Sequence, residues 1–195
     1  MRVDTVEVLG VALSVAAVWL TTARNSWCWP VGLASVIVYG WIFVGARLYS
    51  DALLQVVYAV LEIYGWWQWR RSPQAAGQPQ VRPARTLELW VPAVVAFAGA
   101  LALGAGMARY TDAALPWLDA VLTAASLVAQ FWMARLIRAN WLLWIAVDLA
   151  YVGVYWSRAL PLTAALYAGF VVLAAVGWRR WGAVAPGTPA VRASA

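Results

Sequence analysis

Asn140, Trp144, Asp148, Tyr151 and Tyr155 recur every three or four residues within a single apolar run, 140 to 156. A helix turning 100° per residue gathers them in an arc of about 80° and leaves Leu142, Leu143, Ala146, Leu149, Ala150 and Val154 outside it. An amide, a carboxylate and three aromatic rings thus share one face of an otherwise lipid-like segment. A second run repeats the device with Asp51, Gln55, Tyr58, Glu62, Trp66 and Trp69, again within about 80°. A third carries Asp119, Thr123, Ser126 and Gln130 within about 60°.

Amides and carboxylates bond to hydroxyls and to a carboxamide, and Trp or Tyr stacks on a flat ring. If that ring is cationic, the aromatic quadrupole adds roughly 0.5–2 kcal/mol, and a buried acid adds further attraction. Facing stripes of this kind suit a polar, flat solute, cationic or neutral. No Gly-rich loop or arginine clamp prepares the chain for a phosphate. Metal and hydrolytic chemistry find little support: there is no His, Cys28 is the only cysteine, and no Gly-x-Ser-x-Gly or Gly-x-Gly-Asp motif occurs. No cofactor is expected, and an intramembrane enzyme would have to work from Glu62 and Asp148 alone. A purely structural subunit would not need Gln55, Gln130 and Asp148 on inward faces.

Not every polar or aromatic position belongs to such a path. Trp27, Trp67, Trp178 and Trp181 are expected in the interfacial aromatic belt, and Asp51 and Asp119, at span ends, as solvated or capping residues. Gln55, Glu62, Gln130, Trp144 and Asp148 lie deeper, where an unpaired polar group is costly.

The elements that must position these residues are membrane helices. Of 195 residues, 65% are hydrophobic and 11% charged, against roughly 25% charged in soluble domains. Seven runs are long enough to cross a bilayer: about 6 to 23, 31 to 46, 51 to 69, 89 to 107, 117 to 137, 140 to 156 and 160 to 178. The first lacks a small-residue cleavage site and is interrupted by Asp4 and Glu7, so it reads as a retained span and not a signal peptide. Residues 70 to 88, rich in Pro, Gln and Arg, read as the cytoplasmic linker, and 182 to 195 as a disordered tail. With the N-terminus outside, ten arginines fall on the cytoplasmic side and four on the other. Positive charge inside therefore favours that orientation, with a cytoplasmic C-terminus.

A weak internal repeat is also visible. Asn25, Trp29 and Trp41 match Asn140, Trp144 and Trp156 at an offset of 115, whereas Gly65-Trp66-x-x-Trp69 matches Gly177-Trp178-x-x-Trp181, and Ser14 matches Ser126, at 112. The expected fold is an all-α integral membrane protein of seven transmembrane helices. Two parallel three-helix bundles, 6 to 69 and 117 to 178, are joined by a linker helix, 89 to 107, in a 3+1+3 order.

Several of these motifs occur together elsewhere. Asn25-x-Trp27-x-Trp29-Pro30, then Leu48-Tyr49-x-Asp51-Ala52-x-Leu54-Gln55-x-x-Tyr58 and Gly65-Trp66-x-x-Trp69, resemble the first half of the PnuC family of nicotinamide riboside transporters. Leu118-Asp119-Ala120 with Gln130, Asn140-Trp141-x-x-Trp144-x-x-x-Asp148 and Gly177-Trp178 resemble its second half, so the resemblance covers about residues 6 to 181. It implies a SWEET-like vitamin facilitator of the cell inner membrane, assembled as a homotrimer. Such a facilitator lets the unphosphorylated nucleoside equilibrate across the bilayer while a cytosolic kinase traps it. The same motifs leave thiamine and riboflavin open as cargo. The resemblance implies binding roles for Gln55, Tyr58, Trp69, Gln130, Asn140, Trp141 and Trp144. The stripes themselves add Glu62, Asp148 and Tyr151.

Overall fold

The computed structural model describes residues 5–45, 47, 49–75, 77–111 and 115–183; the expected tail lies almost wholly outside them. Among the described residues are seven α-helices: α1 (Thr5–Thr22), α2 (Cys28–Gly45), α3 (Tyr49–Arg71), α4 (Thr86–Tyr110), α5 (Pro116–Ala134), α6 (Asn140–Ser157) and α7 (Pro161–Gly182). Five of them, α1, α2, α4, α5 and α7, are long and apolar enough to cross a membrane. The other two, α3 and α6, carry Glu62 and Asp148, and their polar stripes lower the apolar content of helices that are otherwise long enough. Pro116 and Pro161 open α5 and α7, where a proline's missing N–H has no helical partner to lose.

Packing follows a closed circuit. α1 lies on α2, α2 on α3, α3 on α5, α5 on α6, α6 on α7, and α7 returns to α1, while α4 packs against α5 outside the ring. The first and last turns of α3 and α5 through α7 are thereby brought to common ends.

A single offset of 112 residues relates the two halves of this ring. Thr22 and Ala134 end α1 and α5, Cys28 and Asn140 begin α2 and α6, Gly45 and Ser157 end those helices, and Tyr49 and Pro161 begin α3 and α7. Even the backbone exceptions pair: Arg24 (φ 53°) with Leu136 (φ 57°), and Arg47 (φ 60°) with Ala159 (φ 55°). At each of the first two, the left-handed residue turns the chain so that Asn25 N–H reaches Leu20 O at 3.0 Å and Ile137 N–H reaches Trp132 O at 2.9 Å. This pattern closes a helix C-terminus. The 115-residue match is therefore not the structural one, because Asn25 lies in a turn whereas Asn140 opens a helix. Trp29 corresponds to Trp141.

Between α3 and α4 the chain forms a short antiparallel hairpin, β1 (Gln74–Ala75) with β2 (Gln78–Pro79), turned by Gly77 at φ 74°. Arg24 donates to Pro79 O at 3.1 Å and to Gln78 Oε1, and the Arg82 N–H reaches Leu136 O at 3.2 Å. The hairpin is thus tied to both equivalent turns. Glu88, in the first turn of α4, accepts from Arg82 (2.7 Å) and Arg135 (2.6 Å), which fixes the start of α4 to the end of α5.

Candidate functional site

At the end of the ring where α1, α3, α5 and α7 finish and α2 and α6 begin, four tryptophans meet. Trp29 contacts Trp69 edge-on (centroids 5.2 Å, 86°), Trp69 lies 6.0 Å from Trp181, and Trp181 contacts Trp141 edge-on (5.4 Å, 87°). All four are at most 2% exposed. Two glycines make room: a Cβ on Gly65 would lie 2.1 Å from the Trp29 ring, and one on Gly177 would lie 2.4 Å from Trp141. Trp69 Nε1 donates to Met133 O and Trp181 Nε1 to Thr21 O, both at 3.1 Å. Every one of these pairs obeys the 112 offset, so each half supplies a donor to the other half's helix end. Trp181, expected in the aromatic belt, is instead part of this closure, because the last turn of α7 points into the ring. Trp27 and Trp67 do lie at the surface, at 68% and 48% exposed.

Beside this closure the ring encloses a cavity of about 310 Å³, within the roughly 300–1,000 Å³ typical of small-molecule sites. Of the residues singled out in the sequence, Gln55, Tyr58, Glu62, Gln130, Trp141, Trp144 and Asp148 line it. α3, α5 and α6 thus do direct their stripes to one space. Three do not reach the wall. Trp69 is fully buried in the closure. Asn140, also fully buried, spends its amide on Ile137 O at 2.7 Å. Tyr151 stacks with Tyr155 (5.9 Å) and Tyr167 (4.9 Å). Trp66, on the α3 stripe, faces outward beneath Arg70.

The sequence reading missed the contribution of α1, α2 and α7, including Ser14, Trp29, Gly32, Tyr39, Tyr167 and Phe170. Trp29 had stood out only as part of a motif, and Gly32 carries no side chain to notice. Yet Gly32 is what admits Glu62: a Cβ there would sit 2.7 Å from Oε2 of the carboxylate.

The wall carries acids with no basic counterpart. Glu62 and Asp148 line it, and no Lys, Arg or His does. Glu62 Oε1 accepts from Gln130 Nε2 at 3.0 Å. Trp29, Trp141 and Trp144 line the wall, and their indole N–H groups are buried with no hydrogen-bond partner among the described residues, a state that costs roughly 1–3 kcal/mol each. The space therefore combines aromatic rings, amides and two carboxyl groups. Among the described residues no group of three or more His, Cys, Asp or Glu could hold a metal. A second recess of about 350 Å³, between α4 and α5, is lined by groups such as Val95, Leu103 and Phe131, with Thr123 as the sole hydroxyl. It offers a polar solute little to bind.

The family model of the nicotinamide mononucleotide transporters matches residues 4–183. The chain belongs to that family. The motif resemblance is thereby borne out over nearly the whole helical region. Among its relatives, the riboflavin/roseoflavin transporter RibM of Streptomyces davaonensis is 29% identical over 178 residues, 90% of this chain and 83% of that protein. The nicotinamide riboside transporter PnuC of Escherichia coli is 25% identical over 201 residues, 90% of this chain and 84% of its own. The crystal structure of the vitamin B3 transporter PnuC matches the fold with a TM-score of 0.71 at 20% identity, covering 90% of this chain and 79% of that one. The family's members here are multi-pass membrane transporters, and the helices of this chain are built accordingly.

Within that shared fold, the two halves bring different residues to the cavity wall. Eight wall positions pair across the 112 offset, and only Trp29 with Trp141 keeps its residue. Val18 stands opposite Gln130, Gly32 opposite Trp144, Val36 opposite Asp148 and Glu62 opposite Ala174. The frame is repeated; the chemistry is not.

Proposed function

We propose that this protein carries an unphosphorylated, ring-bearing vitamin across the cell inner membrane, with nicotinamide riboside as its substrate. The observation that carries this reading is the cavity wall itself, where Trp144 and Tyr58 can stack on a ring, Gln55 can meet a ribose or carboxamide, and two acids stand without a basic partner. A phosphate would bring its negative charge to Glu62 and Asp148 with no arginine to receive it, so the nucleoside fits and the nucleotide does not. Relatives named as nicotinamide riboside transporters support the same cargo. No base and nucleophile pair is offered, and Glu62 is already engaged by Gln130, which favours a carrier over an intramembrane enzyme.

The carrier reading takes all seven helices as spans. Residues 6–69 and 117–178 form two parallel triplets in 3+1+3 order, with 89–107 as the linking span and 70–88 on the cytoplasmic face. Support comes from the common 112-residue offset and from the position of α4 outside the ring. The arginine bias favours an orientation with the tryptophan closure, beside Arg24, Arg70, Arg135, Arg138 and Arg180, at the cytoplasmic end and the N-terminus outside. On this reading the protein assembles as a homotrimer, moves its solute by facilitated diffusion, and relies on a cytosolic kinase to trap it.

Uptake of labelled nicotinamide riboside into proteoliposomes tests this. Saturable uptake that persists when the proton gradient is collapsed is expected; no uptake, or dependence on that gradient, contradicts it. A second reading, riboflavin as cargo, is favoured by the 29% identity to RibM. Uptake of labelled riboflavin, competed by unlabelled riboflavin but not by thiamine or nicotinamide riboside, would select it.

A further inference from the structure

The two acids of the cavity are in different situations. Glu62 is packed against Gly32 and accepts the Gln130 amide at 3.0 Å. Asp148 is 6% exposed, lines the cavity, and has no hydrogen bond or ion pair among the described residues. A buried carboxylate without a partner is expensive in a helix bundle within lipid. Neither helix geometry nor packing demands an acid there, since the equivalent wall position in the other half is Val36. Toward the opposite end of the ring from the tryptophan closure, Asp51 and Asp119 stand in the first turns of α3 and α5, so that end too is acidic.

We infer that Asp148 is the residue that reads positive charge on the solute: it supplies the counter-charge for a cationic heteroaromatic ring stacked on the cavity's aromatics, while Glu62 is held to the wall by Gln130. This rests on the nicotinamide riboside reading and sharpens it, because it makes the ring's charge, and not its shape, the recognised feature. The inference separates cationic cargo, nicotinamide riboside and thiamine, from neutral cargo such as riboflavin.

A pair of ligands differing in little but charge tests it. Purified protein is titrated by calorimetry with nicotinamide riboside, whose ring is cationic, and with its dihydro form, which carries one more hydride and no ring charge. The wild type is expected to bind the oxidised form at least ~10-fold more tightly, the scale of a charge-assisted hydrogen bond. Asp148→Asn, nearly the same shape, is expected to bring the two affinities within about 3-fold of each other, and Asp148→Glu to keep the preference. Size-exclusion profiles verify folding; if Asp148→Asn does not fold, the wild-type ratio and Asp148→Glu decide. Equal binding of both forms by the wild type, or a preference that survives in folded Asp148→Asn, overturns the role of Asp148 and leaves the nicotinamide riboside reading standing. Binding of neither form overturns that reading, and the inference with it.

Discussion

Helices α1 to α3 and α5 to α7 are built on one plan and decorated on two. Where they agree, the agreement is mechanical: a tryptophan at the start of the middle helix seated on a glycine of the third, a second tryptophan donating to the other half's helix end, and left-handed residues at matching turns. At the cavity they part: Val18 stands against Gln130, Gly32 against Trp144, Val36 against Asp148 and Glu62 against Ala174. Many positions away from the wall differ too, such as Arg24 against Leu136 and Trp41 against Gly153, so what the repeat retains is the seating of the helix ends. Within that retained frame each half brings its own chemistry to the wall.

The largest way to break this comparison is to attack the frame. Gly65→Ala and Gly177→Ala each put a methyl group deep inside an indole ring, an overpacking that costs about 3 kcal/mol or more. Both are expected to abolish recovery of folded protein, measured as monodisperse material by size exclusion. Tolerance of one and not the other would show the two halves to be mechanically unequal. Next comes the wall. Trp144→Ala is expected to lower nicotinamide riboside uptake by at least ~10-fold through lost ring stacking, with the yield of folded protein retained; undiminished transport would remove Trp144 from the site.

Smaller effects should be symmetric. Trp69→Phe and Trp181→Phe each remove the indole donor to a buried carbonyl, Met133 O or Thr21 O, which keeps its backbone donor, Leu136 N–H or Arg24 N–H. The lost hydrogen bond is expected to cost about 0.5–1.5 kcal/mol in each, read as similar drops in melting temperature. The smallest change is expected from Arg24→Ala. It frees the hairpin from one of its two turns at a cost of about 0.5–1 kcal/mol, visible as faster proteolysis between residues 72 and 85.

Much of this organisation was written in the residues, for definite reasons. Apolar runs set the helices, and the 3.6-residue period put Gln55, Tyr58, Glu62, Gln130, Trp144 and Asp148 on inward faces, because burying such groups against lipid is expensive. Other features left no comparable trace. The turn geometry was hidden because left-handed positions are held by Arg24, Arg47, Leu136 and Ala159 instead of glycine. The repeat register was blurred because identical residue types at 115 competed with structural equivalence at 112. Trp181 read as an interfacial residue because periodicity within one helix does not say which end of the ring its last turn enters. Asn140 lay on the right stripe, but its side chain is fully buried at the start of α6, with its amide N–H turned back on Ile137 O. The contribution of Gly32 consists of an absence that only a neighbouring carboxylate reveals.

The most direct test of the whole account is a structure determined with nicotinamide riboside bound. The pyridinium ring is expected inside the six-helix ring, against Trp144 and within reach of Asp148, with the four tryptophans beneath it. Ligand density outside the ring, or Gln55, Gln130 and Asp148 turned toward lipid around a solidly packed centre, would contradict it.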